Sequence, residues 1–289
     1  MAHPFVEVAD RCFVARYRQW DVSVGLVVGS DAAMVIDTRA SSQQGLEIVR
    51  DAETLRLGVP VTRVVNTHAH FDHSFGNGAL PEARIVAHAS VGRRWRDDEA
   101  RIKAVFRADP GDGPEYGYTA ADVQDLLTTS VRGPDVTFTE ETRIVLGDRE
   151  VTLAHSGRGH TDGDIAIRVP DAGVTFLGDL IEESATPSLG GDSYPLDWPD
   201  TLLRIIAELP PGEVVVPGHG TRVDRGFVER QAADLTAIAG TIRELHADGV
   251  PAAEATRAGK DRWPWPAEAL GQAVARGYAQ LAAPDGSNG

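Results

Sequence analysis

One short stretch constrains this chain more than any other, the sequence THAHFDHSFGN at residues 67–77, which holds three of the nine histidines. It directly continues the segment VTRVVNT (61–67), whose β-branched residues predict a strand. In extended backbone, residues i and i+2 point the same way, so His68 and His70 can bind one metal ion together. The fold must therefore place the end of this strand where other ligands can reach it.

The remaining ligands have to come from the following turn and from distant parts of the chain. Asp72 and His73 stand where the backbone turns toward a predicted helix, so they can face a second ion. Three more metal-competent residues lie beside glycines at the ends of later predicted strands: His160 in SGRGHTDGD, Asp179 in FLGD and His219 in PGHG. Rigid scaffolds hold ligands where strands end and loops begin, so we expect these residues to complete the site.

The amino-acid composition limits the kinds of partner that the protein is expected to bind. The formal net charge is −15, from 43 acidic and 28 basic residues, which disfavours binding to nucleic acid or to an anionic membrane. The single cysteine, Cys12, excludes an intramolecular disulfide framework and a cysteine-rich zinc cage. Neither a secretory signal nor an apolar run of about 20 residues is visible. We expect a cytoplasmic protein that acts on a small molecule, and its oligomeric state stays open.

Strand and helix patterns alternate along the chain. Predicted strands cover 22–28 and 33–37 as a hairpin, then 61–67, 84–89, 135–139, 142–147, 150–156, 164–170, 174–179 and 213–220. Predicted helices cover 41–57, 198–209 and most of the chain beyond 224. This order favours a layered α/β arrangement of two similar halves. Residues 92–135, which are charged and lack strand character, are predicted to form a lid or insertion, with a plain surface excursion as the alternative.

The ordered motifs His-X-His-X-Asp-His, Gly-His-Thr, Gly-Asp and Pro-Gly-His-Gly resemble those of the metallo-β-lactamase-fold metallo-hydrolases, over roughly residues 20–220. The resemblance implies an α/β fold, a four-layer αβ/βα sandwich of two mixed β-sheets flanked by helices. The corresponding domain would span 1–223, and a C-terminal helical extension at 224–289 would pack on it.

The resemblance also implies a set of metal ligands. The first metal would be held by His68, His70 and His160, the second by Asp72, His73 and His219, and both would be bridged by Asp179. Nitrogen and oxygen ligands without thiolate suit zinc, and also iron or manganese. We therefore expect two Zn²⁺ ions per chain with a bridging hydroxide as nucleophile, and Asp72 as a catalytic residue that orients it and transfers a proton.

Residues near these motifs are candidates for supporting roles. Support for the ligands or their loops is predicted for Asp37, Thr67, His88 and Asp164. Aromatic residues in loops, which either line a substrate pocket or anchor packing, are Tyr116, Tyr118, Tyr194 and Trp198.

Fold alone does not settle the reaction. Many true β-lactamases of this family use a cysteine ligand or lack the bridging carboxylate, whereas here Cys12 is remote and Asp179 is present. The motifs look closer to uncharacterised bacterial members and to the glyoxalase II and lactonase branch, although the tyrosine expected after the bridging aspartate is missing. The prediction is a dinuclear zinc hydrolase that cleaves an ester-, thioester-, lactone- or amide-type bond of a small molecule. The alternatives are a mononuclear iron persulfide dioxygenase, a weak β-lactamase and a non-catalytic metal protein.

Overall fold

The computed structural model describes residues 4–109 and 117–282, which form two β-sheets and the helices that cover them. The first sheet contains β1 (Val6–Ala9), β2 (Cys12–Arg16), β3 (Ser23–Val28), β4 (Ala33–Ile36), β5 (Val61–Val65), β6 (Arg84–His88) and β7 (Val136–Phe138). The second contains β8 (Glu141–Val145), β9 (Glu150–Ala154), β10 (Ala166–Val169), β11 (Val174–Glu182) and β12 (Val214–His219). The helices are α1 (Ser42–Thr54), α2 (Phe71–Ser74), α3 (Ala89–Ala108), α4 (Ala120–Thr128), α5 (Trp198–Glu208), α6 (Arg225–Ala247), α7 (Ala252–Ala258) and α8 (Gly271–Ala282).

Both sheets are mixed. In the first, the strands lie in the order β1 to β7, antiparallel as far as β4 and parallel from β4 to β7. In the second, the order is β12-β11-β10-β9-β8, and only the β11–β12 pair is parallel. The predicted hairpin of β3 and β4 is confirmed. Parallel neighbours bring the carboxyl ends of their strands to one edge of a sheet, which is where the ligand motifs begin.

Three apolar cores separate the layers. Met34 and Phe176 belong to the core between the two sheets, because alternate residues of a strand face opposite sides. Their neighbour Val35 faces outward and packs with Ile48 of α1 in a second core. Leu202 of α5 belongs to a third core that joins the other face of the second sheet to α6 and α8. The predicted four-layer sandwich with C-terminal helices is therefore confirmed.

The strand predictions differ from the structure at two places. The hairpin of β1 and β2 was not predicted, although residues 6–16 contain several β-branched or aromatic residues. β11 continues to Glu182, so Asp179 lies inside a fully buried strand and not after its end. Its register with β12 shifts on both sides of Gly178, and this irregularity turns Asp179 toward the site while the strand goes on.

Within their described part, residues 92–135 lack long strands but contain helices, and the C-terminal region contains helices as predicted. α3 and α4 carry the described part of the first segment, and its role as a lid stays a prediction. The predicted pocket residue Tyr116 lies outside the described residues. Within 4–109 and 117–282, each helix is too short or too polar to cross a bilayer.

Candidate metal centre

The ligand candidates converge at the strand ends of both sheets. His68 and His70 lie in the loop after β5, and α2 begins at the next residue. Asp72 and His73 therefore project from the first turn of this helix, as the sequence predicts. The other three residues come from the second sheet: His160 from the loop between β9 and β10, Asp179 from β11 and His219 from the last position of β12.

Two glycines allow the strands to approach each other at this edge. Gly178 has φ +51°, and a Cβ atom there would lie 2.6 Å from the side chain of Thr67. A Cβ atom on Gly218 would lie 1.9 Å from Oδ1 of Asp179. Only a residue without a side chain fits at these places, so both glycines permit the close packing that brings Asp179 between the histidines.

Each of the five histidines has one ring nitrogen bound by a partner outside the cluster. A Thr67 hydroxyl lies 3.0 Å from Nδ1 of His68, and a carboxylate oxygen of Asp37 lies 2.8 Å from Nδ1 of His73. The other three rings also have outer partners. Oδ2 of Asp192 lies 3.0 Å from Nε2 of His70, the carbonyl oxygen of Ser188 lies 2.9 Å from Nδ1 of His160, and the carbonyl oxygen of Trp20 lies 2.8 Å from Nδ1 of His219. Such contacts fix ring orientation and tautomer, as in metal sites.

The second nitrogen of each ring points inward. His70 Nδ1 and His160 Nε2 lie 2.8 Å apart, and with His68 and Asp179 they form one group of possible ligands within 4.8 Å of one another. Asp72, His73 and His219 form a second such group. The two groups match the two ligand sets that the family resemblance implies.

Asp179 lies between the two groups. Its Oδ1 is 3.1 Å from Nε2 of His73, and its Oδ2 is 3.4 Å from Nε2 of His160 and 3.2 Å from Nε2 of His219. One carboxylate thus contacts histidines of both groups through both of its oxygens. This is the position that a bridging ligand requires.

The donor atoms of the cluster fit metal ions. Nε2 of His68 and Oδ1 of Asp179 are buried and make no hydrogen bond, and Oδ1 has the ion-pair contact of 3.1 Å with Nε2 of His73. A buried polar atom without a partner costs free energy, and a bound cation would supply the missing interaction for both. Imidazole nitrogens and carboxylate oxygens without sulfur suit zinc, iron and manganese.

Burial and charge act on the cluster in opposite directions. Burial lowers the pKa of His68 well below its usual value, and it lowers the pKa of His160 to about 4. Burial also opposes the charged form of His219, but the charge and hydrogen bond of Asp179 and the charge of Asp72 together outweigh it and raise that pKa to about 10. For Asp179, burial is outweighed by His219 and His73, which hold its pKa well below the usual range. The carboxylates therefore favour positive charge beside them, as a cation site does.

Three of the predicted supporting residues contact the ligands or their loops. Asp37 accepts hydrogen bonds from the backbone NH and the hydroxyl of Thr67, besides its contact with His73. Asp164 accepts from the backbone NH and the hydroxyl of Thr161, next to His160. Burial raises the pKa of Asp164 to about 7.

The other predicted supporting or pocket residues lie away from the inner ring nitrogens. His88 stacks on His155, with ring centroids 4.1 Å apart. Trp198 is fully buried behind His160 and donates to Leu180 O, so it packs against a ligand candidate and does not line the cleft described below. Tyr118 stacks on Trp20, and Tyr194 lies under the guanidinium of Arg158, both outside that lining.

Sequence reasoning missed the outer partners that come from loops. Asp192 lies in the segment GGDSYP, which has no metal-site pattern, 122 positions from His70. The partners of His160 and His219 are backbone carbonyls of Ser188 and Trp20, and a carbonyl has no signature in a sequence. Only the folded chain identifies these contacts.

The cluster opens into a cleft of about 780 Å³. Its lining includes the carboxylates of Asp21 and Glu182, and the C-terminal region adds Glu268 and Gln272. Among the described residues that line the cleft, none is lysine or arginine. Burial raises the pKa of Glu182 to about 7. The candidate metal ligands therefore lie at the base of the cleft, and acidic residues lie along its wall.

Several known proteins are similar to this chain in sequence. Metallo-β-lactamase type 2 of Bacillus cereus is 25% identical over 209 residues, covering 71% of this chain and 70% of the relative. Human acyl-coenzyme A thioesterase MBLAC2 is 27% identical over 234 residues, covering 77% of this chain and 81% of the relative. Hydroxyacylglutathione hydrolase of Erythrobacter litoralis is 25% identical over 208 residues, covering 70% and 66%.

Solved structures give the same fold. A metallo-β-lactamase from Pontibacter korlensis superposes with a TM-score of 0.59 at 20% identity, covering 81% of this chain and 99% of that one. The metallo-β-lactamase FIM-1 from Pseudomonas aeruginosa, in its mono-zinc form, gives 0.60 at 20% identity, covering 82% and 96%. A family model described as the metallo-β-lactamase superfamily matches residues 17–219. The fold and the family match agree, and the chain belongs to the metallo-β-lactamase superfamily as one of its metallo-hydrolases.

Proposed function

We propose that this chain is a dinuclear zinc-dependent hydrolase that cleaves an ester-, thioester-, lactone- or amide-type bond of a small molecule. One observation carries the proposal. Five histidines have their outer nitrogens occupied by protein partners, while their inner nitrogens face one another and two carboxylates. Rings oriented in this way are prepared to bind metal without rearranging.

The residues divide between two metal positions. His68, His70 and His160 would hold the first zinc ion, and Asp72, His73 and His219 the second, with Asp179 bridging both. When bound, the two ions would supply a water molecule of lowered pKa and polarise the oxygen of the scissile bond. Iron or manganese could bind the same ligands.

Asp72 is the proposed catalytic residue. It lines the cleft, and its Oδ2 lies 3.5 Å from Nε2 of both His73 and His219. A carboxylate at the boundary between ligands and substrate can orient a nucleophilic water and hold the proton that the leaving group then takes.

The cleft favours neutral or cationic substrates over polyanionic ones. The wall carries Asp21, Glu182 and Glu268, and no lysine or arginine lines it among the residues described. Arg16, which is not part of the lining, pairs with Asp21, so of these three Glu182 and Glu268 are the ones without an arginine partner in the described part of the chain. A thioester of coenzyme A carries several phosphate charges that this wall would repel, and glutathione thioesters carry carboxylates. We therefore infer an uncharged ester, thioester, lactone or amide as the preferred substrate.

β-Lactam hydrolysis is the second candidate. The relatives include metallo-β-lactamases at 25% and 26% identity across about two thirds of this chain. A β-lactam is an amide, so weak turnover fits the proposed chemistry. Cys12 is buried between the sheets and contacts Arg149, and it cannot serve as a cysteine ligand. A mononuclear iron dioxygenase is less favoured, because the second group of ligands is complete.

The test combines metal analysis with a substrate panel. Zinc-reconstituted protein should bind about two zinc ions per chain, measured by plasma mass spectrometry, and should hydrolyse at least one of p-nitrophenyl acetate, a neutral thioester, a γ-lactone or a chromogenic cephalosporin. An acyl-coenzyme A should be turned over more slowly than the neutral thioester. His70→Ala should lose zinc and activity, whereas the control His246→Ala changes an exposed histidine outside the cluster and should lose neither.

Two results would contradict the proposal. One is fewer than about one metal ion per chain after reconstitution with zinc, iron or manganese. The other is unchanged turnover in His70→Ala. One iron ion per chain together with oxygen consumption would instead favour the dioxygenase, and a metal-loaded protein inactive on the whole panel would favour a non-catalytic role.

A further inference from the structure

The segment between β11 and α5, residues 183–197, supplies the outer partners of two histidines in the first ligand group. We name it the clamp loop. The carboxylate of Asp192 lies 3.0 Å from Nε2 of His70, and the carbonyl oxygen of Ser188 lies 2.9 Å from Nδ1 of His160. One loop therefore orients both rings, and their inner nitrogens lie 2.8 Å apart.

The clamp loop forms a tight turn around Asp192. The backbone NH and the hydroxyl of Ser193 both donate to the carbonyl of Gly190, at 3.1 and 2.8 Å. The backbone NH of Tyr194 then donates to Gly159 O, next to His160. Asp192 is thus placed by its immediate neighbours, and a shift of this turn would move its carboxylate.

C-terminal helices hold the turn in place. On α8, Arg276 donates through Nε to Ser193 O at 3.0 Å, one residue from Asp192, and its guanidinium lies 5.4 Å from the ring centroid of Tyr194. Gln280 accepts from the backbone NH of Leu196 at 3.2 Å. From α6, Arg243 donates to the carbonyl of the same leucine at 3.0 Å.

These helices lie beyond residues 17–219, the part of the chain that the family model matches. The first ligand group therefore depends on a region that family membership does not explain. We propose that the C-terminal helices help to form the metal centre. Arg276 of α8 is a positioning residue, which acts through Ser193 and Asp192 on the ring of His70. This inference rests on the proposed role of His70 as a metal ligand.

The physical reason lies in the direction of the hydrogen bonds. Asp192 can only accept from His70 Nε2, which leaves Nδ1 of that ring unprotonated and directed inward. Arg276 contacts Ser193 with a planar, charged donor that also stacks on Tyr194, so the turn is held by two contacts of one side chain. Loss of the Arg276 guanidinium would let the carboxylate of Asp192 move, and the ring of His70 would then be held less firmly in its orientation.

The test measures zinc affinity separately at the two positions. Zinc-loaded wild-type protein, Arg276→Gln and Asp192→Asn are titrated against a chromophoric chelator, and cobalt-substituted samples are compared by absorption spectroscopy. Outer partners of metal ligands typically contribute about 10- to 100-fold in affinity. We expect a loss of this size for one of the two ions and an unchanged affinity for the other.

Two further variants separate positioning from general stability. Because Asp192 and Arg276 act on the same ring, the double variant should bind zinc no more weakly than Asp192→Asn alone. Arg276→Lys keeps a charged donor but loses the planar group that lies over Tyr194. Its zinc affinity should therefore lie between those of Arg276→Gln and the wild type. The control Arg257→Gln removes an equally charged, exposed side chain of α7 and should leave both affinities unchanged.

The outcomes distinguish this inference from the proposed function. Normal zinc affinities in both Arg276→Gln and Asp192→Asn, while His70→Ala loses zinc, would overturn the positioning role alone. Unchanged zinc binding in His70→Ala would instead overturn the metal site itself. If Arg276→Gln does not fold, Asp192→Asn and Arg276→Lys decide the question, and an additive double variant would also count against the coupling.

Discussion

Two groups of histidines in this protein have opposite chemical characters. In the metal centre, the inner nitrogens of five rings face each other and the carboxylates of Asp72 and Asp179. In the second group, His88 and His155 stack with ring planes 22° apart. The nitrogens of His88 contact the hydroxyl of Ser90 and the carbonyl of Thr139, and Nδ1 of His155 contacts the carbonyl of Asp164.

The difference shows what makes a histidine cluster competent for metal. Both groups are largely buried and contain rings in contact. Only the first has carboxylates among the rings and buried donor atoms that make no hydrogen bond, at His68 Nε2 and Asp179 Oδ1. In the second, both nitrogens of His88 and Nδ1 of His155 have ordinary partners, and burial followed by the charge of His155 lowers the pKa of His88 to about 4. Proximity of imidazoles is therefore insufficient, since the free nitrogens must converge on negative charge.

The largest effect should come from removing negative charge at the centre of the first group. Asp179→Asn keeps the shape of the side chain but cannot bridge two cations. Because the metal ions contribute several kcal/mol of charge stabilisation, kcat/KM should fall by about a thousandfold or more. Zinc content, measured on the same samples, should fall below two per chain. The control Asp261→Asn, at an exposed position, should keep both values, and a fully active Asp179→Asn would refute the bridging role.

Metal removal should produce the next largest effect. Chelation leaves His68 Nε2 and Asp179 Oδ1 without hydrogen bonds and leaves the carboxylates of the site without cations. A metal present at about 1,000 times its Kd contributes roughly 4 kcal/mol to the free energy of unfolding, which corresponds to about 10 °C in Tm. Thermal melts with and without a chelator would measure this difference. An identical Tm in both conditions would mean that no metal is bound in the folded state.

Changing the second group should affect stability alone. His88 caps the N-terminus of α3 through a hydrogen bond from the backbone NH of Ser90 to Nδ1. His88→Gln should lower the free energy of unfolding by about 1 kcal/mol, as loss of a helix cap does, measured by chemical denaturation. Zinc content and kcat/KM should match those of the wild type. A loss of zinc in this variant would assign His88 to the metal centre after all.

A further effect of the same histidine appears only when the pH falls. The folded-state pKa of His88 is lowered to about 4, below the 6.5 of the free side chain, so its neutral form is favoured by folding. Its contribution is fully present above pH 6.5 and decreases as pH falls from 6.5 toward 4, because the unfolded state gains the proton first. The stability advantage of wild type over His88→Gln should therefore shrink between pH 7 and pH 5 in melts of the metal-free proteins. An advantage that grows over this range would contradict the lowered pKa.

Much of the fold and the site could be predicted because the signals are local. The strand patterns on either side of the turn at 29–32 predict the hairpin of β3 and β4, which the structure confirms. The helix predicted over 41–57 is α1, and its N-cap is Ser41. The spacing in THAHFDH predicts two ligands before the turn and two after it, and the structure has His68 and His70 in the loop after β5 and the other two on the first turn of α2. Where a pattern was less regular, prediction failed, as for the β1–β2 hairpin and for the length of β11.

The aromatic residues show what local sequence patterns cannot predict. Trp198 and Tyr194 stand in segments close to ligand motifs, and both could face a substrate or pack. The structure places Trp198 against His160 and Tyr194 near Arg158 and Arg276. Burial of a side chain depends on which helices cover it, so the sequence alone could not choose between these roles.

The sequence by itself determined which residue types could bind metal, their pairing at short range and the layered α/β class. Tertiary structure decided which nitrogen of each ring faces inward, because the outer partners come from remote places. Trp20 lies 199 positions from His219, and Asp192 lies 122 positions from His70. Two of the five outer partners, those of His160 and His219, are backbone carbonyls, which every residue possesses. Long-range contacts between groups without a distinctive residue type leave no trace in a single sequence, and only the packed chain defines them.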